Sequence, residues 1–163
     1  MVINQSKINQ EKYENAILFF VKNCNNKYLG ATKLNKLLYY LDFISYRDRD
    51  KAVTGDIYIH KGYGPVPDKI DDVIVILTSN KSIKVELLPY KDGGTFKYET
   101  NREPNMKVFD SFENELLNKI CKEFELWSTD KIVSQTHLEA PWFYSKLFEV
   151  VNYKYSKDIE FFK

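Results

Sequence analysis

The chain has 163 residues, of which 44% are hydrophobic and 29% charged, with a formal net charge of +1. That length fits one domain, residues 1–163, and the composition is that of a soluble folded protein rather than a disordered one. The charge balance argues against a strongly basic nucleic-acid binder and against an acidic mimic of nucleic acid.

The N-terminal "MVINQSKINQEKYENAILFF" has no cleavable signal, because its apolar run is short and Lys22 follows it. No stretch approaches the ~18 apolar residues of a membrane span. The protein therefore reads as cytoplasmic, with no membrane partner. Cys24 and Cys121 lie far apart, outside any CxxC pattern and at apolar positions of predicted helices. They read as reduced core thiols rather than a disulfide.

Residues 11–25 place Tyr13, Ala16, Ile17, Phe20, Val21 and Cys24 at steps of three and four, one face of an amphipathic helix that ends before Gly30. A second helix follows over "TKLNKLLYYLDFISYRDR", with Thr32 as its N-cap and Leu34, Leu37, Leu38, Leu41 and Ile44 as its core stripe. Tyr39, Tyr40 and Phe43 fill much of the remaining circumference, so this helix should be central to the fold.

The segment "TGDIYIHKGYGPVPDKID" cannot continue a helix. Gly55 favours a turn, "DIYIH" reads as a short strand, and Pro65 and Pro67 hold Gly64 and Val66 extended. A third helix spans Asp68 to Thr78, its first turn carrying Asp68, Asp71 and Asp72. "KSIKVELLPY" and "TFKYET" flank Asp92, Gly93 and Gly94, which predicts an antiparallel hairpin with Pro89 at an edge.

"DSFENELLNKICKEFELW" predicts a fourth helix, capped by Asp110 with Glu113 at the reciprocal position. "STD" caps a fifth, "KIVSQTH". After Pro141, "WFYSKLFEVV" gives a last helical turn or two, and the tail with Ile159, Phe161 and Phe162 folds back on the core. The expected class is α+β, mainly α, with a small antiparallel β element.

The glycine cluster is not a phosphate cradle. "GYGP" has no GK[ST] ending, Pro65 removes an amide donor, and the next helix opens with three aspartates. It reads instead as a rigid turn that aims Tyr58, His60 and Tyr63. The two His and two Cys share no ligand spacing, so no metal or other cofactor is expected.

His137 and Glu139 could form half of an acid–base pair only if the fifth helix ends at His137, and no GxSxG elbow supplies a nucleophile. No catalytic residue is assigned. An enzyme using Asp42, His137 and Glu139 is kept as an alternative.

Asp42 lies beside Leu38, Leu41 and Phe43, and a carboxylate at a core boundary needs partners. Tyr46, Thr54, Tyr63 and His137 are the candidates, and the favoured role is an anchor tying the second helix to the glycine loop. A second alternative reads residues 12–48 as a helix-turn-helix with Lys33, Asn35 and Lys36 facing DNA. The apolar second helix and the scattered basic residues disfavour it.

Taken together, "KLNKLLYYLDFISY", "AVTGDIYIHKGYGPVPDKID" and "VSQTHLEAPW" resemble the Panacea domain of the SocA-like antitoxin and phage-associated family. Its pattern is a K-L-x-K-L-L-Y-x-x-D-F helix, an I-T-G-D/A-x-Y stretch, a Y-G-P-V-P turn and a late S-x-x-T/S-H-x-x-x-x-W segment. Lys33, Leu34, Lys36, Leu37, Leu38, Tyr39, Asp42 and Phe43 match it. So do Thr54, Gly55, Tyr58, Tyr63, Gly64, Pro65, Pro67, His137 and Trp142. Val53 and Tyr40 depart from it mildly.

The resemblance implies an antitoxin that neutralises a cognate toxin protein by direct binding. It also raises a role as a proteolytic adaptor that delivers the toxin to a bacterial protease or unfoldase. The site residues it marks for partner binding, or for the motif's structural core, are Lys33, Lys36, Tyr39, Asp42, Thr54, Tyr58, Tyr63, Pro65, His137 and Trp142.

Overall fold

The computed structural model describes residues 7–90 and 93–163. Helix α1 spans Gln10–Asn23 and is capped by Asn9, whose side chain accepts from the Lys12 amide at 3.0 Å. Helix α2 spans Ala31–Arg49. Its N-cap is Gly30 rather than the expected Thr32, because the Gly30 carbonyl already accepts the Leu34 amide. Asp50, in the left-handed region, ends it. Every residue from Leu37 to Ser45 is buried, and α2 packs against α1, α4, α5 and the C-terminal segment. It is the central helix that its all-round apolar sequence demands.

The glycine–proline segment holds two strands where the sequence reading expects one. β1 (Tyr58–Lys61) pairs antiparallel with β2 (Gly64–Pro67), in a register that sets His60 opposite Pro65 and Tyr58 opposite Pro67. Two prolines are tolerated because β2 is an edge strand whose missing donors would face away from the ladder. The other edge of β1 is also covered: Val151 donates to the Tyr58 carbonyl, His60 to Glu149, and Phe148 to His60.

Helix α3 (Ile70–Ser79) follows and buries Ile70, Val73 and Leu77. β3 (Ile83–Tyr90) and β4 (Gly93–Thr100) form the second antiparallel hairpin, packed on α1 through β4. Gly93 and Gly94 open β4; Asp92, the other residue of the expected turn, lies outside the described residues.

Helix α4 (Ser111–Phe124) carries the expected capping box: Asp110 accepts from the Glu113 amide, and Glu113 from the Asp110 amide, both at 2.9 Å. Cys121 on α4 meets Cys24 at the end of α1, and the two sulfurs are paired as a disulfide, which corrects the reading of two free core thiols.

Helix α5 (Thr129–His137) ends at His137, and α6 is a single turn, Ala140–Phe143. The chain then runs along β1, makes a 3-10 turn over Tyr153–Asp158, and returns to the core. There Ile159 is buried, and Phe161 packs on Tyr40, Phe124 and Trp127.

Candidate functional site

The site is built around the turn that links α2 to β1. Gly55 has φ +78°, and a Cβ there would lie 2.7 Å from the Lys7 carbonyl oxygen. Only glycine lets the N-terminal segment cross at that point, where Asn9 donates to the Thr54 carbonyl.

Asp42 reaches this turn from α2. One carboxylate oxygen accepts the Thr54 amide at 2.7 Å; the other accepts the Thr54 hydroxyl at 2.5 Å and the Tyr58 hydroxyl at 2.6 Å. Burial pushes the Asp42 carboxyl up to about 6, against the pull of these donors. The anchor is therefore real, but of the candidate partners only Thr54 serves, and Tyr58 is the second. Asp56 repeats the device, accepting the Tyr13 hydroxyl and the Ile57 and Lys69 amides.

A second contact locks the hairpin. Gly64 has φ +105°, and a Cβ there would lie 2.6 Å from Thr136 Oγ1 and 2.7 Å from Lys36 Cε. Lys36 is fully buried and donates to the Pro65 carbonyl at 2.6 Å. Burial holds its ammonium down at about 7.

Lys33 is buried as well. It donates to the Glu125 and Trp127 carbonyls just past the end of α4, where a cation is favoured. Neither lysine is free to face DNA, which removes the basic contacts on which the helix-turn-helix reading of 12–48 rests. Pro65 is also buried, so it is a structural residue and not part of a contact surface.

Trp142 is sandwiched between two imidazoles, with ring centroids 4.3 Å from His60 and 3.9 Å from His137, and it donates to the Lys61 carbonyl. His60 Nδ1 lies 2.7 Å from Ser145 Oγ. Burial lowers the pKa of both histidines. His137 ends α5 as acid–base pairing with Glu139 would require, but the two do not pair.

Glu139 turns instead into the core. Its oxygens accept the Tyr39 hydroxyl at 3.0 Å, the Tyr40 hydroxyl at 3.1 Å and the Gln135 amide at 3.2 Å. Among the described residues no hydrogen bond joins Asp42, His137 and Glu139, and no cluster of His, Cys, Asp and Glu could hold a metal.

Of the ten marked residues, Lys33, Lys36, Tyr39, Asp42, Thr54 and Tyr58 are completely buried, and Tyr63 alone is largely exposed, at 73%. What sequence reasoning missed is a second set of exposed apolar side chains, further along the chain. Leu138, Phe143, Tyr144, Leu147, Phe148 and Val150 are exposed around α6 and the segment that flanks β1. Phe148 has φ +69°, a left-handed conformation that costs a bulky residue energy and here projects an aromatic ring into solvent. The signal was the aromatic density of "WFYSKLFEVV", which has no helical period.

The family model described as "Antitoxin SocA-like, Panacea domain" matches residues 34–143, more than half of the chain. The chain belongs to the Panacea-domain family. No curated protein and no solved structure matches it. The match begins inside α2 and ends at the last residue of α6. It thus encloses the Asp42 anchor, the locked hairpin, the histidine–tryptophan stack and Glu139. No helix among the described residues is long and apolar enough to cross a membrane.

Proposed function

We propose that this Panacea-domain protein is an antitoxin that neutralises a cognate toxin protein by direct binding. The contact surface is the exposed face formed by Tyr63 at the hairpin tip and by Leu138, Phe143, Tyr144, Leu147 and Phe148. Delivery of the bound toxin to a bacterial protease or unfoldase is the second mode of action.

Family membership supports an antitoxin-type role. The observation that carries the choice of surface is the gathering of large apolar side chains, 56–80% exposed, on segments whose backbone is fixed from below. Trp142 ties α6 to Lys61, and Phe148 is bonded to His60. An aromatic face on a rigid scaffold binds a protein with little ordering cost. The motif residues buried beneath it set its shape rather than touch the partner.

Co-expression with the genomic neighbour tests this. The neighbour alone arrests growth, this protein restores it, and the two purify together. A harmless neighbour, or toxicity that persists beside this protein, overturns the reading. A toxin half-life shortened by this protein in protease-proficient cells alone marks the adaptor mode.

A further inference from the structure

A cavity of about 390 Å³ opens between the α5–α6 corner and the C-terminal segment, lined by Gln135, Glu139, Phe143, Tyr144, Asp158 and Glu160 among others. Its size falls within the ~300–1,000 Å³ of ligand pockets. Three carboxylates and two aromatic rings line it, and no basic residue does. Glu160 pairs with Lys163 at 3.0 Å.

Glu139 is the unusual member. It is 6% exposed and held only by neutral donors: Tyr39 and Tyr40 from α2, and Gln135 from α5. The other deeply buried carboxylates are either sealed from solvent, like Asp42 and Asp56, or matched by cations. Glu113 is the matched case, bound by Lys12 at 2.8 Å and approached by Arg49 at 3.9 Å. Glu139 alone among these lines an open cavity with its charge unmatched.

We propose that this cavity receives one basic side chain, an arginine, presented by a protein partner. A planar guanidinium suits it better than a compact ammonium. It can stack on Phe143 and Tyr144 while its fork of N–H donors reaches Glu139, Asp158 and Glu160. The exposed Phe143 and Tyr144 belong at once to the cavity wall and to the apolar face above, so one partner can engage both. The inference deepens the antitoxin reading by giving the partner a chemistry, and rests on that reading for the partner's identity.

Burial pushes the Glu139 carboxyl up to about 7. A bound guanidinium pulls it down again, so binding releases a proton and tightens from pH 6 to pH 8. The groups facing it are Tyr39, Tyr40, Gln135, Asp158 and Glu160. The two tyrosines stay neutral throughout, since their own pKa values are raised well above the ordinary value.

The test is an NMR titration of the full chain with Nα-acetyl-arginine amide, with Nα-acetyl-citrulline amide as the uncharged analogue. Saturable shifts are expected at the Gln135 side-chain amide and at the Leu138 and Ala140 backbone, with the citrulline compound at least about tenfold weaker. Glu139→Gln weakens arginine binding about tenfold and removes its pH dependence.

Asp158 and Glu160 are exposed, so the double variant D158N/E160Q keeps the fold and decides the matter if E139Q does not fold. It weakens binding several-fold. Shifts that do not saturate, equal binding of citrulline, or arginine binding unmoved by the variants overturn the proposal. Such a failure leaves growth rescue by the wild-type protein untouched. Conversely, a loaded cavity without growth rescue refutes the antitoxin reading alone.

Discussion

Replacing Gly64 with alanine tests whether the hairpin is locked as described. At φ +105°, an L side chain is strained by about 1–2 kcal/mol. The new Cβ also lies 2.6 Å from Thr136 Oγ1 and 2.7 Å from Lys36 Cε. Neither neighbour can yield easily. Thr136 is buried and donates to the Val133 carbonyl at 2.7 Å; Lys36 is buried and bonded to the Pro65 carbonyl. Overpacking of this kind costs about 1–3 kcal/mol. The smaller unfolded-state entropy of alanine returns about 0.4–1 kcal/mol.

The net loss is about 3 kcal/mol, or roughly 6–12 °C in Tm for a chain of this size. Gly62→Ala is the internal control. Nothing lies within 4 Å of its Cβ and its φ is not in the left-handed region, so its stability stays within about 0.5 kcal/mol of wild type. Urea denaturation of both variants reads the difference. Equal stability of the two variants would refute the claim that Gly64 is clamped between Lys36 and Thr136.

Glu139→Gln carries a pH signature. An acid whose folded pKa is raised is stabilising in its protonated form, and that stability is lost as pH rises through the folded value. Glu139 moves from 4.5 to about 7. Wild type and E139Q therefore match near pH 4.5, and E139Q becomes more stable by about 3 kcal/mol at pH 8; a difference that does not change with pH contradicts this. Tyr58→Phe removes one donor from Asp42, costs about 1–2 kcal/mol and moves the Asp42 titration upward in carboxyl-carbon NMR; an unmoved titration contradicts the bond. Phe148→Asn relieves the left-handed aromatic and raises stability by about 0.5–1 kcal/mol in thermal melts while weakening partner binding; a lower Tm contradicts the strain.

Much of the fold was legible because its determinants are local. The Asp110–Glu113 box starts α4 through contacts three residues apart, and the apolar circumference of α2 announces its central place. What was illegible depends on distant partners. Lys33 and Lys36 look like solvated residues on a helical wheel. They are buried because the carbonyls of Glu125, Trp127 and Pro65 come to them from far along the chain.

Glu139 likewise meets Tyr39 and Tyr40 across about a hundred residues, which no spacing rule reveals. β2 was hidden because Pro65 and Pro67 argue against a strand unless its edge position is known. The run after Pro141 reads as a last helical turn or two, and α6 supplies one turn over Ala140–Phe143. Beyond that turn the chain passes through bends rather than more helix; the bonds from Phe148 and Val151 tie it to β1, and Phe143, Tyr144, Leu147 and Phe148 are left exposed, which no local pattern reveals.

On the proposed reading, toxin binding runs through the exposed face. Phe143 and Phe148 are 66% and 72% exposed, so F143D/F148D should melt within a few degrees of wild type. Co-expressed with the toxin that wild type neutralises, this variant should neither restore growth nor purify with the toxin. A folded F143D/F148D protein that still protects cells as wild type does would place the toxin elsewhere and contradict the account.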